Sequence, residues 1–247
     1  MTILFAPSEG KREGGTLEPI DKSAFLFPEL YEKRAEAAAI YRNFVQNASK
    51  EKLQKLFGIK EPKLLERYKG DIFAKKTMKA VERYDGVAYD HLGYGSLPEA
   101  AQNYIDEHLI IFSNLFGPLK GGDRLPDYKL KQGERIGEFA PEKFYKKEFS
   151  EKLTSYLTEN GPVIDLRAGF YEKFYTVEIP HITMKFLKNG KSVSHWAKAY
   201  RGRVLKEMAK RAIMDEESLL ALDIENLAVK EIRQTKKRKE IIYEITE

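Results

Sequence analysis

The first apolar run, Met1–Ala6, is short, has no basic residues ahead of it and stops at Pro7. It predicts a buried strand rather than a secretion signal. Residues 7–24, rich in Gly, Pro and charge, read as a loop. From Pro28 to about Ala48 the period changes: Leu30, Ala37, Ile40, Tyr41, Phe44 and Val45 recur at three- and four-residue steps, which predicts a helix. Shorter helical stretches follow, broken near Gly58, Pro62 and Gly70. Pro98 suits the first turn of a helix over PEAAQNYIDEHL. LIIFS at 109–113 predicts a buried strand, and residues 116–133, with four glycines and two prolines, predict a long loop.

The second half reads as helix over Glu148–Thr158 and buried strand over Pro162–Leu166. Alternation over Thr176–Leu187 and Lys191–Ala197 flanks Asn189-Gly190, the strongest local hairpin signal in the chain. A helix over 198–213 and a shorter one near 216–222 follow. Leu227–Arg233 and Lys239–Ile245 predict a second hairpin over the basic turn Thr235–Lys239. No repeat, low-complexity linker or sharp boundary interrupts the chain. The simplest architecture is a single α+β domain over 1–247, with a mixed central β-sheet flanked by helices.

Composition narrows the chemistry. Apolar residues make up 42% of the 247, enough for one substantial core and too many for a disordered chain. Cysteine is absent, which excludes disulfides, thiolate metal sites and cysteine nucleophiles. No run approaches eighteen apolar residues, so no membrane partner is expected and a cytoplasmic location is the default. Net charge is +5, but residues 185–211 hold nine Lys or Arg against one acid, a local +8. A concentrated positive segment is the footprint of a phosphate-rich partner. The plainer reading is a solvated helix face.

Three motifs hold candidate site residues. APSEGK places Ser8, Glu9 and Lys11 just beyond the first strand, where α/β sheets build sites, although the glycine spacing of a phosphate-binding loop is missing. VIDLRAGFY ends a strand in Asp165 and Arg167, which suits either a site or a buried ion pair. SVSHWAKAYRGRVLKEMAKR contributes His195, Lys198 and Arg201. On its helical wheel Ala197, Tyr200, Val204, Leu205, Met208 and Ala212 form the apolar stripe, with Arg203, Lys206 and Lys210 on the opposite, solvated side. Arg201 falls inside the stripe and must pair, snorkel or line a polar pocket. Ser8, Glu9, Lys11, Asp165, Arg167, His195, Lys198 and Arg201 are expected to line one polar cleft. Glu9 and Asp165 are the candidate partners of Arg201. The four histidines lack metal-helix spacing, and no GxSxG elbow or GxGxxG turn occurs, so no metal, cofactor or particular catalytic residue is assigned.

The order APSEGK, YDGVAYDHL, SNLFGPLKGGDRLPDYKLKQG, VIDLRAGFY and SVSHWAKAYRGR resembles the YaaA family of peroxide-stress proteins. The resemblance runs from the first strand to about Ile213. It implies a single α+β fold around a large sheet and a helix–hairpin–helix-like element, whose hairpin would fall near Asn114–Gly117. Many relatives have glycine where this chain has Asn114, a residue that tolerates the left-handed conformation. The resemblance also implies a role in surviving hydrogen peroxide by limiting iron-dependent damage, and double-stranded DNA binding through a positively charged cleft. Lys185, Lys188, Lys191, Lys198, Arg203, Lys206 and Lys210 are the expected DNA contacts, with little sequence specificity. The alternative is an enzyme acting on a nucleic-acid or nucleotide substrate in the polar cleft. Direct iron binding has no ligand cluster to support it.

Overall fold

The structure, a computed structural model, describes residues 1–246. Strand β1 (Thr2–Phe5) leads through the short β2 (Gly10–Lys11) and two 3-10 turns to α1 (Tyr31–Asn47) and α2 (Lys50–Phe57). Next come α3 (Pro62–Leu65), β3 (Thr77–Lys79), α4 (Ala80–Arg83), β4 (Tyr84–Asp85), α5 (Val87–Leu92) and α6 (Glu99–His108). The middle of the chain forms β5 (Leu109–Ser113), β6 (Gly117–Lys120), β7 (Arg124–Pro126) and α7 (Pro141–Glu159). The remainder is β8 (Val163–Asp165), β9 (His181–Lys188), β10 (Lys191–Ser192), α8 (Ser194–Lys210), α9 (Glu216–Leu220), β11 (Leu227–Gln234) and β12 (Arg238–Ile245).

One mixed sheet organises these elements, in the order β11-β12-β9-β8-β1-β5-β6, with β10 paired to β9. Its five inner strands, β12 to β5, run parallel, and antiparallel β11 and β6 close the two edges. All four residues of β1 and all five of β5 are buried. Strands covered on both faces favour apolar residues at nearly every position, which is why TILF and LIIFS read as runs rather than alternations; the polar exceptions, Thr2 and Ser113, have their hydroxyls bonded to the Asn160 carbonyl and the Tyr128 hydroxyl. Ile3 and Phe5 face the larger core with Tyr200, Val204 and Met208 of α8. Leu4 faces the second, where α7 presents Tyr145, Phe149, Leu153 and Leu157 at helical spacing.

The outcome differs from the sequence expectation in four places. The glycine- and proline-rich stretch 116–133 contains β6 and β7. Gly117, at φ 69°, leaves no room for a side chain against the Tyr145 ring, so glycine there lets the turn close on α7. Asn114–Gly117 lies between β5 and β6 as the turn of an antiparallel hairpin, flanked by strands and not helices. No helix–hairpin–helix element stands at that position, and its left-handed residue is Gly117 rather than Asn114. Helix α7 begins at Pro141, whose missing N–H costs nothing in a first turn. Finally, β9 starts only after Pro180, and α8 begins at Ser194, leaving β10 two residues long.

Candidate functional site

Strands β1 and β8 lie side by side and parallel, and Leu4 is in register with Asp165. Beyond β1 the sheet grows toward β5, and beyond β8 it grows toward β9. The chain leaving these two neighbours therefore diverges, which opens a crevice at their carboxyl ends. A cavity of about 390 Å³ occupies it. Its floor is Phe5 at the end of β1 with Ala6 and Pro7 just beyond, and Leu166 and Ala168 after β8. Its walls come from the first turn of α5, from Gln132, and from Lys198 and Arg201 of α8.

Two glycines bring the walls together. Gly86 adopts φ 144°, and a Cβ there would lie 2.6 Å from Ser8 Oγ, the hydroxyl that donates to the Asp85 carbonyl at 2.5 Å. Gly202 of α8 sits directly against the Ala88 carbonyl of α5, where any side chain would overlap backbone. This close approach carries Arg201 and Lys198 to the cleft. The Tyr89 hydroxyl ties α5 to the end of β1 by donating 2.9 Å to the Ala6 carbonyl.

Of the eight residues expected in the cleft, Ser8, Glu9, Lys198 and Arg201 line it. Glu9 serves as a clasp. Its carboxylate accepts from Lys129 Nζ at 3.0 Å and from the Gln132 backbone N–H at 2.7 Å, and Lys129 also donates to the Glu9 carbonyl at 2.6 Å. Lys11 lies outside the lining, buried with its ammonium 4.4 Å from the Tyr128 ring centre and 5.2 Å from that of Tyr84. Burial pushes Lys11 down to about 7; the Lys129 charge adds to the fall, while Glu9 and Asp127 oppose it.

Asp165 and Arg167 pair with each other, at 2.7 and 2.9 Å, in a bidentate bridge. Arg167 also donates to the carbonyls of Tyr171 and Tyr175 and lies over the Phe112 ring. Burial would raise the Asp165 carboxyl, but the Arg167 pair outweighs it and holds the group below its ordinary value. The expectation that Glu9 or Asp165 pairs with Arg201 therefore fails, because each already has a partner. Arg201 is half-buried, and among the described residues no acceptor takes its guanidinium protons. Burial lowers its pKa, and the charge of nearby Asp165 opposes the shift. His195 is exposed in the first turn of α8, outside the cavity lining.

The cations expected at DNA do not form one patch. Met184 and Phe186 face α8, so alternation turns Lys185 to the opposite side of the sheet. Lys188 lies 4.2 Å from the Trp196 ring centre, and Lys191 is exposed opposite it. The face carrying Arg203, Lys206 and Lys210 is not fully solvated. Arg203 and Lys206 are half-buried, the Arg203 guanidinium stacks 4.8 Å from the Tyr200 ring centre, and Lys210 pairs with Glu207. Asp223, Glu225 and Glu207 line the same depression as Arg203 and Lys206. No group of three or more His, Asp or Glu among the described residues is placed to hold a metal ion, and no helix among them is long and apolar enough to cross a membrane.

Lys129, Gln132, Gly86 and Tyr89 were not among the residues singled out from sequence. Gly86 alone left a signal there, as a glycine between a polar turn and a helix.

Comparison with known proteins gives this geometry a context. The model of the family described as peroxide stress protein YaaA matches residues 1–233. An uncharacterized protein of Campylobacter jejuni is 47% identical over 245 residues, covering 99% of both chains. A UPF0246 protein of Corynebacterium glutamicum is 31% identical over 237 residues, covering 92% of this chain and 91% of its own. Another, from Streptomyces coelicolor, is 28% identical over 223 residues.

Proposed function

The chain belongs to the peroxide stress protein YaaA family, and from that premise we propose that it protects cells from hydrogen peroxide by binding DNA and limiting iron-dependent damage to it. One observation carries the DNA part of this reading. Around the first two turns of α8, Lys191, Lys198 and Arg201 have no carboxylate in ion-pair range among the described residues, and Lys188 meets only the Trp196 ring. Of these, Lys198 and Arg201 line one cavity; unmatched cations there favour an anionic partner, and phosphate contacts of this kind position a duplex without reading its bases.

Gel-shift titration of a short duplex tests the reading. Three phosphate contacts give a fall in affinity of roughly fortyfold between about 50 and 200 mM salt through counterion release. Charge reversal at Lys191 and Lys198, both exposed, should weaken binding without unfolding the protein. No shift at the lowest salt overturns DNA binding. For the cellular role, deletion of the gene should sensitise cells to peroxide, and an iron chelator should relieve the defect. Equal survival of deletion and parent strains would count against it.

A further inference from the structure

The polar groups lining the cavity divide into two sets. The first is already occupied by the protein. The Ser8 hydroxyl is taken by the Asp85 carbonyl and the Tyr89 hydroxyl by the Ala6 carbonyl. The Tyr171 hydroxyl is taken by Asn114, and the Glu9 carboxylate by Lys129 and the Gln132 N–H. The second set has no partner among the described residues: the guanidinium of Arg201, the ammonium of Lys198, the carboxylate of Asp85 and the side-chain amide of Gln132. Between them the lining is apolar, from strand-end residues such as Pro7, Leu166 and Ala168.

That second set describes a ligand. Arg201 is half-buried, so its lost hydration is uncompensated until an anion arrives. With Lys198 it offers two positive charges to one anionic group, and a guanidinium presents paired donors that match phosphate oxygens. Asp85 accepts hydrogen bonds, and the Gln132 amide both donates and accepts, so neutral donors and acceptors on the rest of the ligand have counterparts. The apolar floor suits a flat ring. A cavity of about 390 Å³ is of small-ligand size and has room for far more than a free phosphate.

We propose that the cavity at the carboxyl ends of β1 and β8 is a binding site for a nucleotide phosphomonoester, with its phosphate on Arg201 and Lys198 and its ring over the apolar floor. Two sources supply this chemistry, a free nucleoside monophosphate or the 5′-phosphorylated end of a nucleic-acid strand. The site shares Lys198 and Arg201 with the duplex contacts proposed above, but monophosphate binding is measured without duplex and holds whether or not intact duplex is bound.

Calorimetric titration of the full chain tests it, with adenosine and guanosine 5′-monophosphates, the parent nucleosides and inorganic phosphate as probes. The monophosphates are expected to bind, with nucleosides and phosphate each weaker by about tenfold or more, since each lacks one half of the recognition. Arg201→Gln should weaken the monophosphates by about tenfold or more, the scale of one charge-assisted pair. Lys198→Gln, at an exposed position that folding does not need, should weaken them by less. Competition separates the sources. Displacement by a 5′-phosphorylated oligonucleotide, and not by its unphosphorylated twin, identifies a strand end. Displacement by neither identifies the free nucleotide. Absence of monophosphate binding at millimolar concentration overturns the proposal, as does binding that neither substitution changes. Loss of intact-duplex binding with monophosphate binding retained would remove the DNA reading and leave this one in place.

Discussion

Arg167 and Arg201 both lie in the field of Asp165, and only one of them holds it. Arg167 directs its donors at the Asp165 carboxylate and two backbone carbonyls, with its guanidinium over Phe112. Arg201 lines the cavity and meets no acceptor among the described residues. Arg34 falls with the first kind. It is fully buried and donates from both terminal nitrogens to the carbonyls of Leu26, Phe116 and Pro118, pinning two loops to α1, while its Nε has no partner among the described residues. Burying a guanidinium costs several kcal/mol unless its donors are met. A matched buried arginine therefore supports the fold, and an unmatched one beside a cavity is poised for something the protein does not itself contain.

The sharpest way to break this contrast is to remove each arginine and weigh the loss. Arg167→Ala strands the buried Asp165 carboxylate and two carbonyls, and should cost about 3–5 kcal/mol in urea denaturation. A loss well under 1 kcal/mol would show that Asp165 finds another partner.

Lys11 gives the next effect, through pH. Its pKa falls from about 10.4 in the unfolded chain to about 7 in the fold. Between these values the unfolded state binds the extra proton, so stability rises as pH is raised from about 7 toward 10, and the burial cost is fully present below 7. Relative to Lys11→Met, which lacks the titration, the wild type should gain on the order of 1 kcal/mol per pH unit across that window. Parallel curves for the two proteins would show that the Lys11 ammonium is hydrated rather than enclosed by Tyr84 and Tyr128.

Arg201→Gln completes the comparison with the smallest effect. It removes no hydrogen bond among the described residues, and stability should change by about 0.5 kcal/mol or less. A slight gain is consistent with relief of an uncompensated charge. A loss as large as that of Arg167→Ala would make Arg201 a structural residue and remove the basis for a ligand at its guanidinium.

Much of the fold was legible because periodicity reports burial locally. TILF and LIIFS announced strands buried on both faces, the 28–48 period announced α1, and Asn189-Gly190 announced the turn between β9 and β10. Arg201 stood out for the same reason, as a cation on the apolar side of a helix. The Gly- and Pro-rich stretch 116–133 misled because two short strands there are held by partners elsewhere, β6 by β5 and β7 by β3. The site was legible in outline: its two strand ends and its helix were found, but half its walls were not.

What the sequence by itself determined is which segments are buried, which helix carries an inward cation, and where turns close. Only the tertiary structure decided who meets whom. Glu9, read as a partner for Arg201, clasps Lys129 from 120 residues away. Asp165 turns to Arg167, two residues on, and not to the helix across the cleft. Gly202, one glycine among seventeen, sets the approach of α8 to α5. The physical reason is range. Hydrophobic burial is a property each segment carries in its own spacing, whereas an ion pair or hydrogen bond exists only within a few ångströms, a distance fixed by how distant segments pack.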